Sequence, residues 1–150
     1  MDTIEHLAEK FRSPDEENRR LAVSSLASYE FGKVRELLFS AMGDESWRVR
    51  KETVDTLLTF TFSPEIVEML IQMLRSHDNA GLRNSAVETL ERLGGSAIPI
   101  LCAHIEDDDH DVRKFVIDIL GHVGDVVVVP LLIKALDDPD LKCLALPAEG

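Results

Sequence analysis

Apolar residues recur along this chain three and four positions apart, in blocks of about ten residues divided by short polar turns, and residues 96–124 hold the clearest pair of blocks. In the first block Ile98, Leu101, Cys102 and Ile105 fall on one stripe of a helix. The acidic EDDD at 106–109 ends it, and Asp108 or Asp109 can cap the helix that follows, where negative charge meets the positive helix end. In the second block Val112, Val116, Ile117, Leu120 and Val123 face inward, and Gly121 and Gly124 mark the stop. Two amphipathic helices this short cannot bury both stripes against one another, so neighbours of the same kind are required.

The neighbours stand in register. Leu7, Leu38, Leu70, Leu101 and Leu132 follow one another at intervals of 31, 32, 31 and 31 residues, and Phe11, Met42, Leu74, Ile105 and Leu136 repeat those intervals at the end of the same helix. In the second helix Arg19, Arg50, Arg83 and Arg113 recur, with Lys142 in the fifth place, and seven residues after the arginines stand Leu26, Leu57, Leu90 and Leu120. The spacing predicts an all-α chain of about five stacked two-helix repeats, at about 2–30, 31–62, 63–94, 95–123 and 124–146, the last one incomplete. First helices are expected over 3–12, 34–42, 64–76 and 97–105; second helices are expected from Pro14, over 47–60, over 80–93 and after the acidic run. Pro14 suits a first helical turn, where its missing donor does no harm. The valines at 126–129 would suit a strand in isolation, but Pro130 lies 31 residues after Pro99 and keeps the register, which argues for helix. After LKCLAL comes Pro147, so the fifth repeat lacks most of its second helix: the natural chain continues, or this end self-associates or pairs with another molecule, or it frays.

A length of 150 residues suits one domain, 1–150, with a usable core, and 45% hydrophobic with 29% charged residues is ordinary for a folded protein. No secretory pattern opens the sequence and no apolar run approaches a membrane span, so the chain reads as cytoplasmic. Cys102 and Cys143 fall within helical stripes without metal-ligand spacing and read as buried, reduced thiols. Net charge changes the picture most. At -12 the surface repels a phosphate backbone and anionic lipid, and the densest cations, Lys33 with Arg35 and Arg48 with Arg50 and Lys51, are interleaved with Glu36, Glu45 and Glu52. Neither nucleic acid nor membrane is expected as a partner.

The segments DDDHDVRKFVIDIL, DESWRVRKETVDTL and DNAGLRNSAVETL resemble the short HEAT-like repeats of phycobilisome lyase subunits and many prokaryotic scaffold proteins, and the resemblance covers nearly the whole chain. The pattern departs at Asn18-Arg19, at Leu82-Arg83 after Gly81 and at Leu141-Lys142. The resemblance implies a right-handed α-solenoid with first helices on the convex side and second helices lining a concave groove. It also implies a ladder in which turn aspartates meet the recurring arginine of an adjacent repeat, with Asp44, Asp78 and Asp108 as the acidic partners of Arg50, Arg83 and Arg113.

Positions one and five after each arginine cannot face the apolar stripe and should look into the groove. They are Arg20 and Ser24, Lys51 and Asp55, Asn84 and Glu88, and Lys114 and Asp118, followed a turn later by Thr59, Arg92 and His122. Such oppositely charged neighbours can simply support an exposed helix, or across stacked repeats they can form a mixed-charge strip for a protein or peptide. Phe115 and Ile119 are apolar where Glu52, Thr56, Ser85 and Thr89 are polar, which fits packing against the fifth repeat or an apolar anchor. Trp47, at the turn before Arg50, fits either an interface anchor or a staple at the helix start.

Catalytic signatures are weak. EDDDHD at 106–111 has carboxylates enough for a divalent cation but lacks the bend and distal glutamate of a calcium loop, so capping and solubility account for it. His6, His77, His104, His110 and His122 are dispersed, without the His-Glu dipeptide of deoxyhypusine hydroxylase, an iron enzyme of HEAT-like build; HEAT-like DNA glycosylases use a basic aromatic groove. No catalytic residue, metal or cofactor is expected. The sequence therefore reads as a non-catalytic scaffold or regulatory subunit that binds a partner protein in its groove. The alternative is an accessory subunit of a bilin lyase-type enzyme, with a nucleic-acid-binding HEAT-like protein a weaker third.

Overall fold

The structure, a computed structural model, describes residues 2–123, and the fifth repeat with Pro130, Lys142 and Cys143 lies outside the described residues. Every regular element among the described residues is helical: α1 Ile4–Lys10, α2 Glu16–Ser25, α3 Phe31–Ala41, α4 Trp47–Leu57, α5 Pro64–Met73, α6 Ala80–Leu93, α7 Ile98–Ala103 and α8 His110–Val123. Short 3-10 turns follow α2, at Leu26–Ser28, and α6, at Gly94–Ala97.

Small polar residues start most of the helices, α3 and α7 being the exceptions. Thr3 accepts the His6 N–H, Ser46 that of Val49 and Ser63 that of Ile66, while Asn79 accepts the Leu82 N–H at 3.0 Å and Asp109 those of Asp111 and Val112 at 2.8 and 3.2 Å. Each satisfies a donor that the first helical turn would otherwise leave open, worth about 1 kcal/mol. Pro14 lies before the cap and outside the first turn, because Asp15 turns its carboxylate onto the Glu17 N–H at 2.9 Å and fixes the helix start at Glu16. Other helix limits also move: α3 begins at Phe31, α4 ends at Leu57, and Gly121 lies inside the last turn of α8. Gly94, with φ of +59°, is in the left-handed region that lets the chain leave α6 at low cost.

The described residues fall into two compact units, 2–62 with Ser76–Thr89, and Ser63–Arg75 with 90–123. In the first unit α1 packs on α2 and α3, α2 on α4, and α3 on α4. Leu7, Val23, Leu26, Val34, Leu38, Met42, Val49, Val54 and Leu57 are buried there, all on the stripes. In the second unit α7 packs on α5 and α8, around Ile66, Val67, Leu70, Ile71, Leu101, Val116, Ile117 and Leu120. Fully burying one such side chain contributes about 1.5–3 kcal/mol, so these stripes carry most of the drive to fold. Hydroxyls inside the first unit are satisfied locally: Thr53 donates to the Val49 carbonyl at 2.7 Å, Ser85 to Gly81 at 2.9 Å and Thr89 to Ser85 at 2.7 Å. Bonding one turn back lets a helix bury Thr or Ser without an orphaned polar atom. Cys102 is half-buried, less enclosed than its place on the stripe implies.

Candidate functional site

The recurring arginines act first on their own hairpins. Arg19 Nη1 donates to the Ser13 carbonyl at 2.8 Å, Arg50 Nη1 to the Asp44 carbonyl at 2.6 Å and Arg113 Nη1 to the Asp107 carbonyl at 2.6 Å. Each reaches back six residues to tie the end of the first helix to the second.

Asp44 meets a recurring arginine of an adjacent repeat, as the ladder requires, but that arginine is Arg19, and the expected pairs of Asp44 with Arg50 and of Asp108 with Arg113 do not form between side chains. Asp44 is held by Arg19 of the preceding hairpin through Nε–Oδ2 at 3.0 Å and Nη2–Oδ1 at 3.2 Å, while Arg50 takes only its main-chain carbonyl. In the second unit the carboxylate is Asp107, held by both Nη atoms of Arg75 at 2.6 Å; Arg113 touches Asp108 only through its carbonyl, at 3.3 Å. The reason is the turn itself. Oδ1 of Asp44 accepts the Ser46 N–H at 2.8 Å and Oδ1 of Asp107 the Asp109 N–H at 2.9 Å, which turns each carboxylate away from the arginine of its own hairpin. Asp78 and Asp108 stay exposed. The hydrogen bond with Asp44 raises the Arg19 pKa, and Arg75 holds the Asp107 carboxyl well below the usual carboxylate range, helped by the Asp109 N–H and His104.

Beyond Asp44 the third repeat uses a different link. Arg50 lays its guanidinium against Gly81, where an added Cβ would stand 3.0 Å from Cζ, and the Asn79 amide donates to the Gly43 carbonyl at 3.4 Å. Gly81 interrupts the pattern because that space is occupied. Spacing gave no signal for this, nor for Arg75, since both contacts join separate hairpins.

With the structural arginines accounted for, the exposed second-helix residues can be placed. Ser24, Lys51, Thr59, Asn84 and Glu88 are exposed in the first unit, with Arg20 and Asp55 half-exposed. Arg20 is bound to Glu17 at 2.6 Å and lies 3.6 Å from Glu52, and Lys51 lies 3.8 Å from Asp55. The Glu17 contact raises the Arg20 pKa and lowers that of Glu17. In the second unit Arg92, Lys114, Asp118 and His122 are exposed, with His122 3.6 Å from Glu91.

The apolar candidates separate. Ile119 is fully buried and Phe115 half-buried, so Ile119 is a core residue and offers no surface anchor. Its place six after the arginine is also interior in the hairpins before it, where Thr56 and Thr89 are buried. Trp47 is 64% exposed at the first position of α4, directly after the Ser46 cap, so no helix-start staple encloses it. Two depressions meet at its indole. The larger, about 400 Å³, is lined by Trp47, Arg50, Lys51, Asn84, Ser85 and Glu88. The smaller, about 230 Å³, lies between Trp47 and the Arg20 side of α4, with Arg48, Lys51, Glu52 and Asp55 on its walls. Six of the groove and anchor candidates, Arg20, Trp47, Lys51, Asp55, Asn84 and Glu88, are thereby brought to one face of the first unit, together with the ladder residue Arg50. Ser24 and Thr59 line neither depression.

A family model for HEAT repeats matches residues 4–90 and 67–145. The chain belongs to the HEAT-repeat family. Its fold class is accordingly all-α, of the solenoid kind that HEAT repeats build, and contact with protein partners is the general business of such repeats. Comparison with curated proteins finds no match. No helix of the described residues of this HEAT-repeat chain is long and apolar enough to cross a membrane.

Proposed function

We propose that this HEAT-repeat chain is a non-catalytic interaction module, a scaffold or regulatory subunit, that captures a partner protein on the second-helix face of its first unit. The supporting observation is Trp47: a large indole, 64% exposed, fixed at the start of a helix and flanked by two open depressions. Leaving so much apolar surface in water costs free energy that a partner recovers by covering it, which is why tryptophans so placed anchor interfaces. The walls around it suit recognition better than bond making. Ser85, the hydroxyl on the larger depression, spends its proton on the Gly81 carbonyl, and Arg50 is committed to the Asp44 carbonyl.

A photoreactive benzophenone amino acid placed at Lys51, and in a second variant at exposed Glu36 on α3, tests this in cells of the source organism. The Lys51 variant is expected to give a discrete protein adduct and the Glu36 variant none. Adducts confined to Glu36 would overturn the assignment of the face, and turnover of a small molecule by the purified chain alone would overturn the non-catalytic part.

A further inference from the structure

Resting on that reading, we infer that the segment docking at Trp47 presents one carboxylate side chain to the Arg50 guanidinium, with an apolar side chain beside it covering the indole. The first ground is a comparison of the arginines. Arg19 takes the Asp44 carboxylate through two nitrogens, and Arg75 takes that of Asp107 in the same two-pronged way. Arg50 spends Nη1 on the Asp44 carbonyl, a neutral acceptor, and its Nε and Nη2 make no hydrogen bond or ion pair among the described residues. The third turn does not answer it: Asp78 stays exposed, and Asn79 donates to the Gly43 carbonyl and accepts the Leu82 N–H. The charge of Arg50 is left uncompensated.

The second ground is where that charge lies. Trp47 and Arg50 are three residues apart on α4, so their side chains are neighbours on one helix face. Both line the depression of about 400 Å³, where Lys51 adds a second cation and Glu88 is the one carboxylate of the lining. Lys51 is held by Asp55 at 3.8 Å between exposed side chains, a pairing that water weakens. A carboxylate placed there gains a charge-assisted bond from Arg50, whose planar fork matches it, and the Asn84 amide lines the same wall as a further donor.

The third ground sets the number of charges. Glu88 and the net charge of -12 oppose any run of acidic residues and any phosphate dianion, because the repulsion grows with the charge brought in. A single carboxylate meets Arg50 at contact, inside a screening length of about 8 Å, where the local pair outweighs the distant charges. A lysine or arginine in its place would meet two like charges. A protein segment is the fitting occupant, because the indole asks for apolar cover and Arg50 for a carboxylate close beside it. A free small carboxylate supplies only the second.

Trp47 is the only tryptophan in the chain, so intrinsic fluorescence reads this site directly. The probe is a nine-residue alanine-based peptide, blocked at both ends, with a leucine and a glutamate two positions apart; in three further versions glutamine, lysine or phosphoserine replaces the glutamate. The glutamate peptide is expected to change Trp47 emission saturably and to bind about tenfold tighter than the glutamine version, and tighter than the other two. Glu88→Gln, which removes the competing carboxylate, is expected to tighten it about threefold with unchanged circular dichroism. Arg50→Gln keeps an amide donor for the Asp44 carbonyl and is expected to erase the preference for glutamate over glutamine; should that variant unfold, the peptide comparison and Glu88→Gln decide alone. Equal affinity for the glutamate and glutamine peptides, or a preference that survives in folded Arg50→Gln, would overturn the inference while leaving the Trp47 face as the docking surface. Tightest binding by the lysine or phosphoserine version, weaker binding in Glu88→Gln, or flat emission with all four peptides would also overturn it. Adducts confined to Glu36 in the cross-linking experiment would remove the face itself.

Discussion

Asp44 in the first unit and Asp107 in the second hold the same place in their hairpins, two residues after Met42 and Ile105, and do the same three things. Each accepts a main-chain N–H two residues on, each takes a two-pronged guanidinium, and each offers its carbonyl to the arginine six residues later. The guanidinium differs. Arg19 comes from the first turn of a second helix and its side chain is 9% exposed, whereas Arg75 comes from just beyond a first helix and is 32% exposed. Asp107 also takes His104 Nδ1 at 2.9 Å, and the other ring nitrogen reaches Glu68 at 3.0 Å. The turn sets where the carboxylate sits, and any guanidinium within reach can answer it.

The largest test of this comparison truncates the two arginines. Arg19→Ala removes the guanidinium from the Asp44 carboxylate, which keeps only the Ser46 N–H, and from the Ser13 carbonyl, in a closed setting, and is expected to cost about 3 kcal/mol. Arg75→Ala is expected to cost about 2 kcal/mol, because its guanidinium is one-third exposed and already shares its bonding with water. Urea melts of both variants check the order, and equal losses would break the comparison.

Acid is the next probe, and it acts on the second unit. The Asp107 pKa is depressed in the fold, so its stabilisation is complete above the ordinary aspartate value of about 4 and drains away as pH falls through and below it. The stability gap between the native chain and Asp107→Asn is therefore expected to be widest near neutrality and to close progressively from about pH 4 downward, as read in urea melts across pH. A gap independent of pH would show that the charge of Asp107 contributes nothing.

A smaller effect sharpens the contrast with the third repeat, where Arg50 rests on Gly81 in place of meeting a carboxylate. Gly81→Ala alone should be close to neutral, because the gain in helix propensity, about 1 kcal/mol, is offset by displacing Arg50 from the Asp44 carbonyl. In an Arg50→Ala background the same change should stabilise by about 1 kcal/mol. A double-mutant cycle measures the difference, and an additive pair would show that Gly81 is not there to admit Arg50. Smallest of all, Trp47→Ala should shift the melting midpoint by under about 0.5 kcal/mol, since exposed side chains contribute little, while removing partner capture.

Much of this molecule was legible before any coordinates. The period of 31 and 32 residues placed the hairpins, and α5 and α6 begin at Pro64 and Ala80 as their signals require. Positions one and five after each arginine are exposed or half-exposed through all the described second helices, as the helical period demands. Helix ends were read less well, because caps such as Asp15 depend on one side chain turning onto one N–H. Trp47 and Ile119 could not be ranked in the sequence, since each is one apolar residue whose exposure depends on what lies over it.

By itself, then, the sequence determined that the chain is all-α, how often its hairpins recur and which face of each helix is apolar, because a 3.6-residue period and short-range caps are written within a single turn. Only the tertiary structure decided that Asp44 answers Arg19, that Asp107 answers Arg75, and that Trp47 remains in water. Those outcomes rest on distances between residues 25 and 32 positions apart, and packed stripes set such distances where local spacing cannot.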